Sequence, residues 1–289
     1  MNDRYGVDPN AAKTVLELNS LLRSFDPEHG RFIVDFRSNW TAHVGTNFPD
    51  VTDLERARLT EILRRAKLSL LPTKTRYFPD LTWAKNAEHL IEVYGRIGPT
   101  GSKPPCRALT DVLTDPEGLR DSRGGHIPRT PAAYAEAVRP LFQISPKVVL
   151  IDPHFHLRYR SKDSPTQRPS MRYIRPFKEL LRAAQAEGKV EVFKLVVSRC
   201  RTMINEDNGA TFDADLEAIK RDAGGTGLEI EYQLLPKRKD GSKQHARYLL
   251  GNECGLHFDY GFDVANDKST NHVEWIGKAA LAPLLQQFM

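Results

Sequence analysis

Within the run HARYLLGN, residues 245 to 252, a histidine, an arginine and an asparagine fall close together. Such a trio can grip or attack a phosphate. A guanidinium fork donates two hydrogen bonds to non-bridging oxygens, and a neutral imidazole beside it can act as a nucleophile toward phosphorus. Side chains alternate along a strand, so His245 and Arg247 share a face with Leu249, while Ala246, Tyr248 and Leu250 take the other. Asn252 can direct an amide to the same place from the turn that follows. A plainer reading fits too: Asn and Gly are what a tight turn needs, and a His/Arg pair decorates many strand edges.

Four further features carry chemical potential. Lys194 interrupts the apolar run VEVFKLVV. An ammonium is costly to bury unpaired, so Lys194 is either a second phosphate cation or a side chain snorkelling at a sheet rim. His154 and His156 in DPHFHL stand near Asp152, but no clear fourth ligand accompanies them, and neither a metal nor a cofactor is expected. His257 is a proton donor or an exposed strand histidine. The segment KRKDGSK, residues 237 to 243, is a clamp for a polyanion or a solvated turn.

The second half of the chain alternates short apolar runs with helical patterns, the signature of an α/β sheet. A helix from Pro131 to about Phe142 leads into the strand KVVLID, ending at Asp152. The helix RPFKELLRAAQAEG turns Phe177, Leu180, Leu181 and Ala184 inward and stops at Gly188. The strand VEVFKLVVS follows, then TFDADLEAIKRDAGG as a helix with Thr211 at its N-cap, the strand LEIEYQLL, a hairpin around the His/Arg motif, and a closing helix WIGKAALAPLLQQF. Strands joined through helices should run parallel, with the hairpin adding an antiparallel piece.

The first half predicts a helix capped by Asp8 with Pro9 at its first position and Val15, Leu18, Leu22 and Phe25 inward. A strand RFIVDF, a helix from Asp53 to Leu68 and another around LTWAKNAEHLIEVY follow, giving a smaller α+β or mostly helical domain. Arg56, Arg58, Arg64, Arg65 and Lys67 read as a solvated helix face rather than a nucleic-acid stripe. Residues 95 to 131 concentrate Gly and Pro and predict a linker or long loop. The expected domains are therefore 1–129 and 130–289.

Bulk composition sets limits. With 289 residues, 40% of them hydrophobic and 27% charged, the chain reads as a soluble globular protein of one large or two ordinary domains. No apolar run approaches the ~20 residues of a membrane helix, and the N-terminus lacks a signal-like stretch, so a cytoplasmic location is expected. Three scattered cysteines offer neither a disulfide framework nor a metal knuckle. The 42 basic against 37 acidic side chains give +5, which favours anionic partners.

The spacing His245-x-Arg247-x4-Asn252 resembles the H-x-K-x4-D signature of the phospholipase D superfamily, with Arg for Lys and Asn for Asp. It is more similar to the phospholipase-D-like C-terminal domain of MIT-domain-containing proteins, whose H-x-R-x4-[DN] is followed by glycine, an apolar strand and Gly-Leu-Asp. Here the chain departs by one extra residue before GLHFDY, then has GFD at Gly261 to Asp263, and LIDPHF resembles that family's Asp-Pro-aromatic strand end. The resemblance covers about residues 130 to 289; the first half shows no MIT three-helix hairpin. It implies a phospholipase-D-like mixed sheet flanked by helices, with His245 as catalytic nucleophile and Arg247, Asn252 and Lys194 holding phosphate. Active members pair two motifs, so one copy implies a homodimer acting as a metal-independent phosphodiesterase or nuclease, or a non-catalytic binder, as the MIT-type domains are. The missing Asp removes the usual orienter of the imidazole and favours binding without turnover. Nucleic acid is the first expected ligand; anionic phospholipid is the alternative, with a protein partner engaged through the N-terminal domain as a third role.

Overall fold

The computed structural model describes residues 3–36, 39–90, 93–99, 102, 106–114, 119, 124–160, 166–198, 209–224, 227–235, 247–265 and 268–288. The chain is α/β and divides into two compact units, Met1–Arg123 and Gly124–Met289.

The first unit runs β1 (Asp3–Val7), α1 (Val15–Arg23), β2 (Arg31–Asp35), α2 (Trp40–Thr46), α3 (Asp53–Ala66), β3 (Leu70–Pro72), α4 (Trp83–Ala87), β4 (Gly95–Gly98), β5 (Cys106–Ala108) and α5 (Leu109–Thr114). Its five strands are all parallel in the order β3-β2-β1-β4-β5, so the unit is a doubly wound sheet rather than a mostly helical body. Two of the strands lie inside the Gly/Pro-rich stretch expected to be a loop. They are only three and four residues long, so too few side chains are present to show a pattern. Helix α1 starts later than expected. Thr14 accepts from the Glu17 N–H and Glu17 reaches back to the Thr14 N–H, a reciprocal box that satisfies the first turn. Asp8 instead accepts from the Asn10 N–H in the turn after β1. On α3, Arg64 and Arg65 pair with Glu61 at the surface, as a solvated helix face does.

The second unit runs β6 (Gly124–Pro128), α6 (Pro131–Ile144), β7 (Lys147–Ile151), β8 (Arg158–Arg160), β9 (Gln167–Pro169), α7 (Met171–Glu187), β10 (Val192–Ser198), α8 (Ala210–Asp222), β11 (Glu229–Leu235), β12 (Tyr248–Leu250), β13 (Gly255–Phe258), β14 (Thr270–Ile276) and α9 (Lys278–Phe288). The main sheet is mixed, in the order β11-β10-β7-β12-β13-β14-β6. The first three strands are parallel and the rest antiparallel. Because β6 pairs with β14, the second unit begins six residues before the expected boundary at residue 130. Trp275 and Ile276 end β14 rather than opening the last helix, and Thr211 lies inside α8, whose N-cap is Gly209.

Aromatic packing fixes one face of this sheet against α6 and α7: Phe193 of β10 meets Phe142 and Phe177 with ring centroids 6.3 and 5.7 Å apart. The other face packs Val149, Ile151, Val196, Tyr248 and Leu250 against Leu281, Leu284 and Leu285 of α9. Helix α7 ends where the sequence places its stop, with Gly188 at φ 67. Among the described residues, no helix is long and apolar enough to cross a membrane.

Candidate functional site

At the carboxyl ends of the parallel strands, five charged side chains from distant parts of the second unit converge. Asp152 follows β7; Arg247 precedes β12; Asp263 follows β13; Arg129 and Arg172 stand at the starts of α6 and α7. Strand register explains the first pairing. Tyr248 of β12 lies opposite Ile151 of β7, so one step further along the antiparallel ladder brings Arg247 level with Asp152, both on the α6/α7 face.

Gly261 lets these two groups approach. Its φ is +79, and a Cβ added there would lie 2.6 Å from Asp152 Oδ2 and 2.9 Å from Arg247 Cδ. A glycine is required both by the backbone and by the space. The next N–H, of Phe262, donates to Asp152 Oδ2 at 3.2 Å, and the His154 N–H donates to Oδ1 at 2.9 Å. Asp152 is fully buried, and that burial pushes its carboxyl up to about 6 despite the two N–H donors and the nearby Arg247. Its charge therefore changes close to neutral pH. Burial, reinforced by Asp152 and Asp263, also raises the Tyr173 phenol.

Asp263 is the structural counter-ion. It is 6% exposed and accepts from Arg129 Nη2 at 2.6 Å and from Arg172 Nη2. Its backbone carbonyl accepts from the Tyr134 hydroxyl at 3.0 Å. Asn271 of β14 locks the loop: its Nδ2 donates to the Gly261 carbonyl at 2.8 Å, and its Oδ1 accepts from the Tyr260 N–H. Two of the three arginines are thus engaged with Asp263, while Arg172 keeps 58% of its side chain exposed.

Arg247 differs. Its Nη1 donates to the Asp259 carbonyl at 2.5 Å, which fixes the guanidinium; its Nε, like that of Arg129, is buried without a hydrogen-bond partner, and unlike Arg129 and Arg172 the residue makes no salt bridge among the described residues. Tyr260, 60% exposed, stands next to this anchor with its ring 5.4 Å from the Arg129 guanidinium carbon. A fixed guanidinium that forms no salt bridge among the described residues, in a cluster that also holds Arg129 under the exposed Tyr260 ring, is suited to an oxyanion carried on a larger ligand.

The predicted residues fare differently. Arg247 is in the cluster. His245 lies outside the described residues, as does the basic segment 237–243. Asn252 is exposed in the turn between β12 and β13, five residues and so about 16 Å along the strand from Arg247; the turn does not return it to the site. Lys194 aligns with Val149, and Val149 with Leu250. It therefore projects from the α9 face, opposite to Arg247, because parity along a strand decides the face. His257 aligns with Tyr248, on the α9 face, with ring centroids 5.1 Å apart. His156 lies against Tyr173 and its Nδ1 is 2.7 Å from the His154 carbonyl. Among the described residues, no three His, Cys, Asp or Glu side chains gather as metal ligands would. Arg129 and Arg172 escaped the sequence reading; the signal was an arginine within two residues of the start of each helix that packs on the site.

No family model matches the chain, and no curated protein matches it. Among solved structures it is similar to TrmBL2, described as an archaeal chromatin protein with a novel mode of DNA binding, at 12% identity over 62% of this chain and 56% of that one, with a TM-score of 0.28. It is also similar to phosphatidylserine synthase of Haemophilus influenzae Rd KW20, at 12% identity over 59% and 36% of the two chains, TM-score 0.34. A third is polyphosphate kinase from Porphyromonas gingivalis, at 17% identity over 66% and 29%, TM-score 0.33. The chain spans less than two thirds of each of these proteins. Likenesses this distant leave the site's ligand to be argued from its own residues.

Proposed function

We propose that the second unit binds a phosphodiester at Arg247, with nucleic acid as the ligand. The observation that carries this reading is the half-buried Arg247 guanidinium, held by the Asp259 carbonyl and forming no salt bridge among the described residues, with the buried Asp152 carboxyl close enough to act on its charge. The converging set of three arginines against two aspartates supports it, since Asp263 occupies only Arg129 and Arg172. The motif resemblance adds His245 as the group that would attack phosphorus, with Arg247 stabilising the charge that builds on the non-bridging oxygens. Hydrolysis on this reading needs two copies of the chain, each supplying one histidine, and requires no metal.

The test is a filter-binding series with single- and double-stranded DNA and RNA, run beside a metal-free cleavage assay and vesicles of acidic phospholipid. The expected result is salt-sensitive binding to polynucleotide that weakens about tenfold in Arg247→Ala, the loss of one charge-assisted contact. Cleavage abolished by His245→Ala would add catalysis to binding. Binding to the vesicles with no retention of polynucleotide would assign the site to anionic lipid. Polynucleotide affinity indifferent to Arg247→Ala would end the proposal.

A further inference from the structure

In the first unit, the segments that follow the carboxyl ends of β1, β2 and β3 enclose a cavity of about 250 Å³. Open parallel sheets place their ligands in this position, beyond the carboxyl ends of the strands. Four aromatic side chains line it: Phe36, just after β2; Trp40 on α2; Tyr77, after β3; and Trp83 at the start of α4.

These rings are held in place. The Trp40 indole Nε1 donates to the Val7 carbonyl at 2.8 Å, so the ring is fixed with its polar edge toward β1. Phe36 and Tyr77 meet edge to face, 5.5 Å apart at 82°. Trp83 reaches β1 where Gly6 leaves room, and a Cβ there would lie 3.7 Å from its Cη2. Phe36 and Trp40 are buried, whereas Tyr77 and Trp83 are half-buried and keep accessible surface. The accessible surface of Tyr77 and Trp83 is what this lining offers a flat ring.

The polar lining limits the ligand's chemistry. Asn10, His43, Thr46 and Asn47 contribute amides, a hydroxyl and an imidazole. Asn47 is oriented, because its Nδ2 donates to the Pro9 carbonyl at 2.8 Å and so directs the amide oxygen away from that bond. None of the described lining residues is Lys, Arg, Asp or Glu, so they provide neither a cation for a phosphate nor a carboxylate for an amine. The turn after β1 reads Asp8-Pro9-Asn10, without the glycines that let a backbone cradle a pyrophosphate. The described lining therefore suits a flat group edged with hydrogen-bonding atoms.

We propose that this cavity takes a single nucleobase, stacked against Tyr77 and Trp83 over the buried Phe36 and Trp40, with its edge read by Asn and His side chains. Amides pair with adenine-type edges through one donor and one acceptor, and aromatic stacking tolerates every base. The base can belong to a free nucleoside or to an unstacked residue of a polynucleotide; the chemistry is shared. This inference is independent of the phosphate site in the second unit.

Equilibrium dialysis of the full chain against labelled adenosine, guanosine, cytidine and uridine, in parallel with short single-stranded oligonucleotides, tests it. The expected result is saturable binding that falls at least about fivefold in Trp83→Ala and in Tyr77→Ala, recovers in Trp83→Phe, and persists for the nucleosides in Arg247→Ala. Circular dichroism checks that each variant is folded, and Tyr77→Ala and Trp83→Phe decide the matter if Trp83→Ala unfolds. Nucleosides binding as tightly as oligonucleotides would mark a free ligand. Oligonucleotides that bind through the same two residues while nucleosides do not would mark a base within a polymer. The proposal is overturned if neither binds, if the two alanine variants bind unchanged, or if neutral monosaccharides compete equally.

Discussion

Replacing Gly261 by alanine should do two separable kinds of damage. The backbone there is left-handed, at φ +79, which costs a non-glycine residue about 1 to 2 kcal/mol. The new methyl would also sit 2.6 Å from Asp152 Oδ2, a contact that side chains do not tolerate. Asp152 cannot retreat without stretching the bond it accepts from the Phe262 N–H, and a buried polar group left unsatisfied costs about 1 to 3 kcal/mol more. The total is about 2 to 5 kcal/mol. Gly188 supplies the control, since its φ is +67 and a Cβ there meets nothing within 4 Å. Gly188→Ala should therefore lose the backbone part alone, about 1 to 2 kcal/mol. Urea unfolding followed by circular dichroism measures both variants, and phosphodiester binding should fall in Gly261→Ala but not in Gly188→Ala. Equal losses in the two variants, with binding intact in both, would refute the claim that Gly261 exists to bring Asp152 and Arg247 together.

Other consequences follow from the same groups. In Arg247→Ala, the slope of log affinity for polynucleotide against log salt should decrease by about one counterion, read from filter binding between low and physiological salt. Asp152 binds its proton more tightly in the folded chain than in the unfolded one, so stability should fall as pH rises from the ordinary carboxylate value to about 6. The loss is up to about 3 kcal/mol relative to Asp152→Asn, from a shift of roughly two pH units at 1.36 kcal/mol each; chemical denaturation of both proteins between pH 4 and 7 tests this, and parallel profiles would contradict it. Arg129→Met should destabilise the second unit by about 3 kcal/mol, at the low end for a broken buried pair because Arg172 still holds Asp263; thermal melting measures it. Thr14→Ala should cost about 1 kcal/mol through loss of the reciprocal cap on α1.

What the sequence disclosed depends on how strongly each element repeats its pattern. Helix α7 was readable from Phe177, Leu180, Leu181 and Ala184 to its stop at Gly188 because seventeen residues give several turns of evidence. The strands β7 and β10 were readable as apolar runs, being buried on both faces. Strands β4 and β5 were not, since three or four residues carry no period, and only neighbours already in the sheet make them strands. Strand β14 was misread at its end because Trp275 and Ile276 continue smoothly into the apolar pattern of α9. At the site, the alternation that pairs His245 with Arg247 is a local rule, and His245 lies outside the described residues. The position of Asn252 depends on where the strand ends and that of Lys194 on which face each neighbour presents, both properties of the assembled sheet. Arg129 and Arg172 are brought to Asp263 by helix packing, which spacing along the chain cannot express.

The ion pair between Arg129 and Asp263 joins residues 134 positions apart. During synthesis, Arg129, Asp152 and Arg172 leave the ribosome long before the loop that fastens them, so a nascent or truncated chain has arginines but no fixed geometry among them. Anything that prefers the completed arrangement will favour molecules in which the loop carrying Asp263 has closed onto Arg129 over those in which it has not.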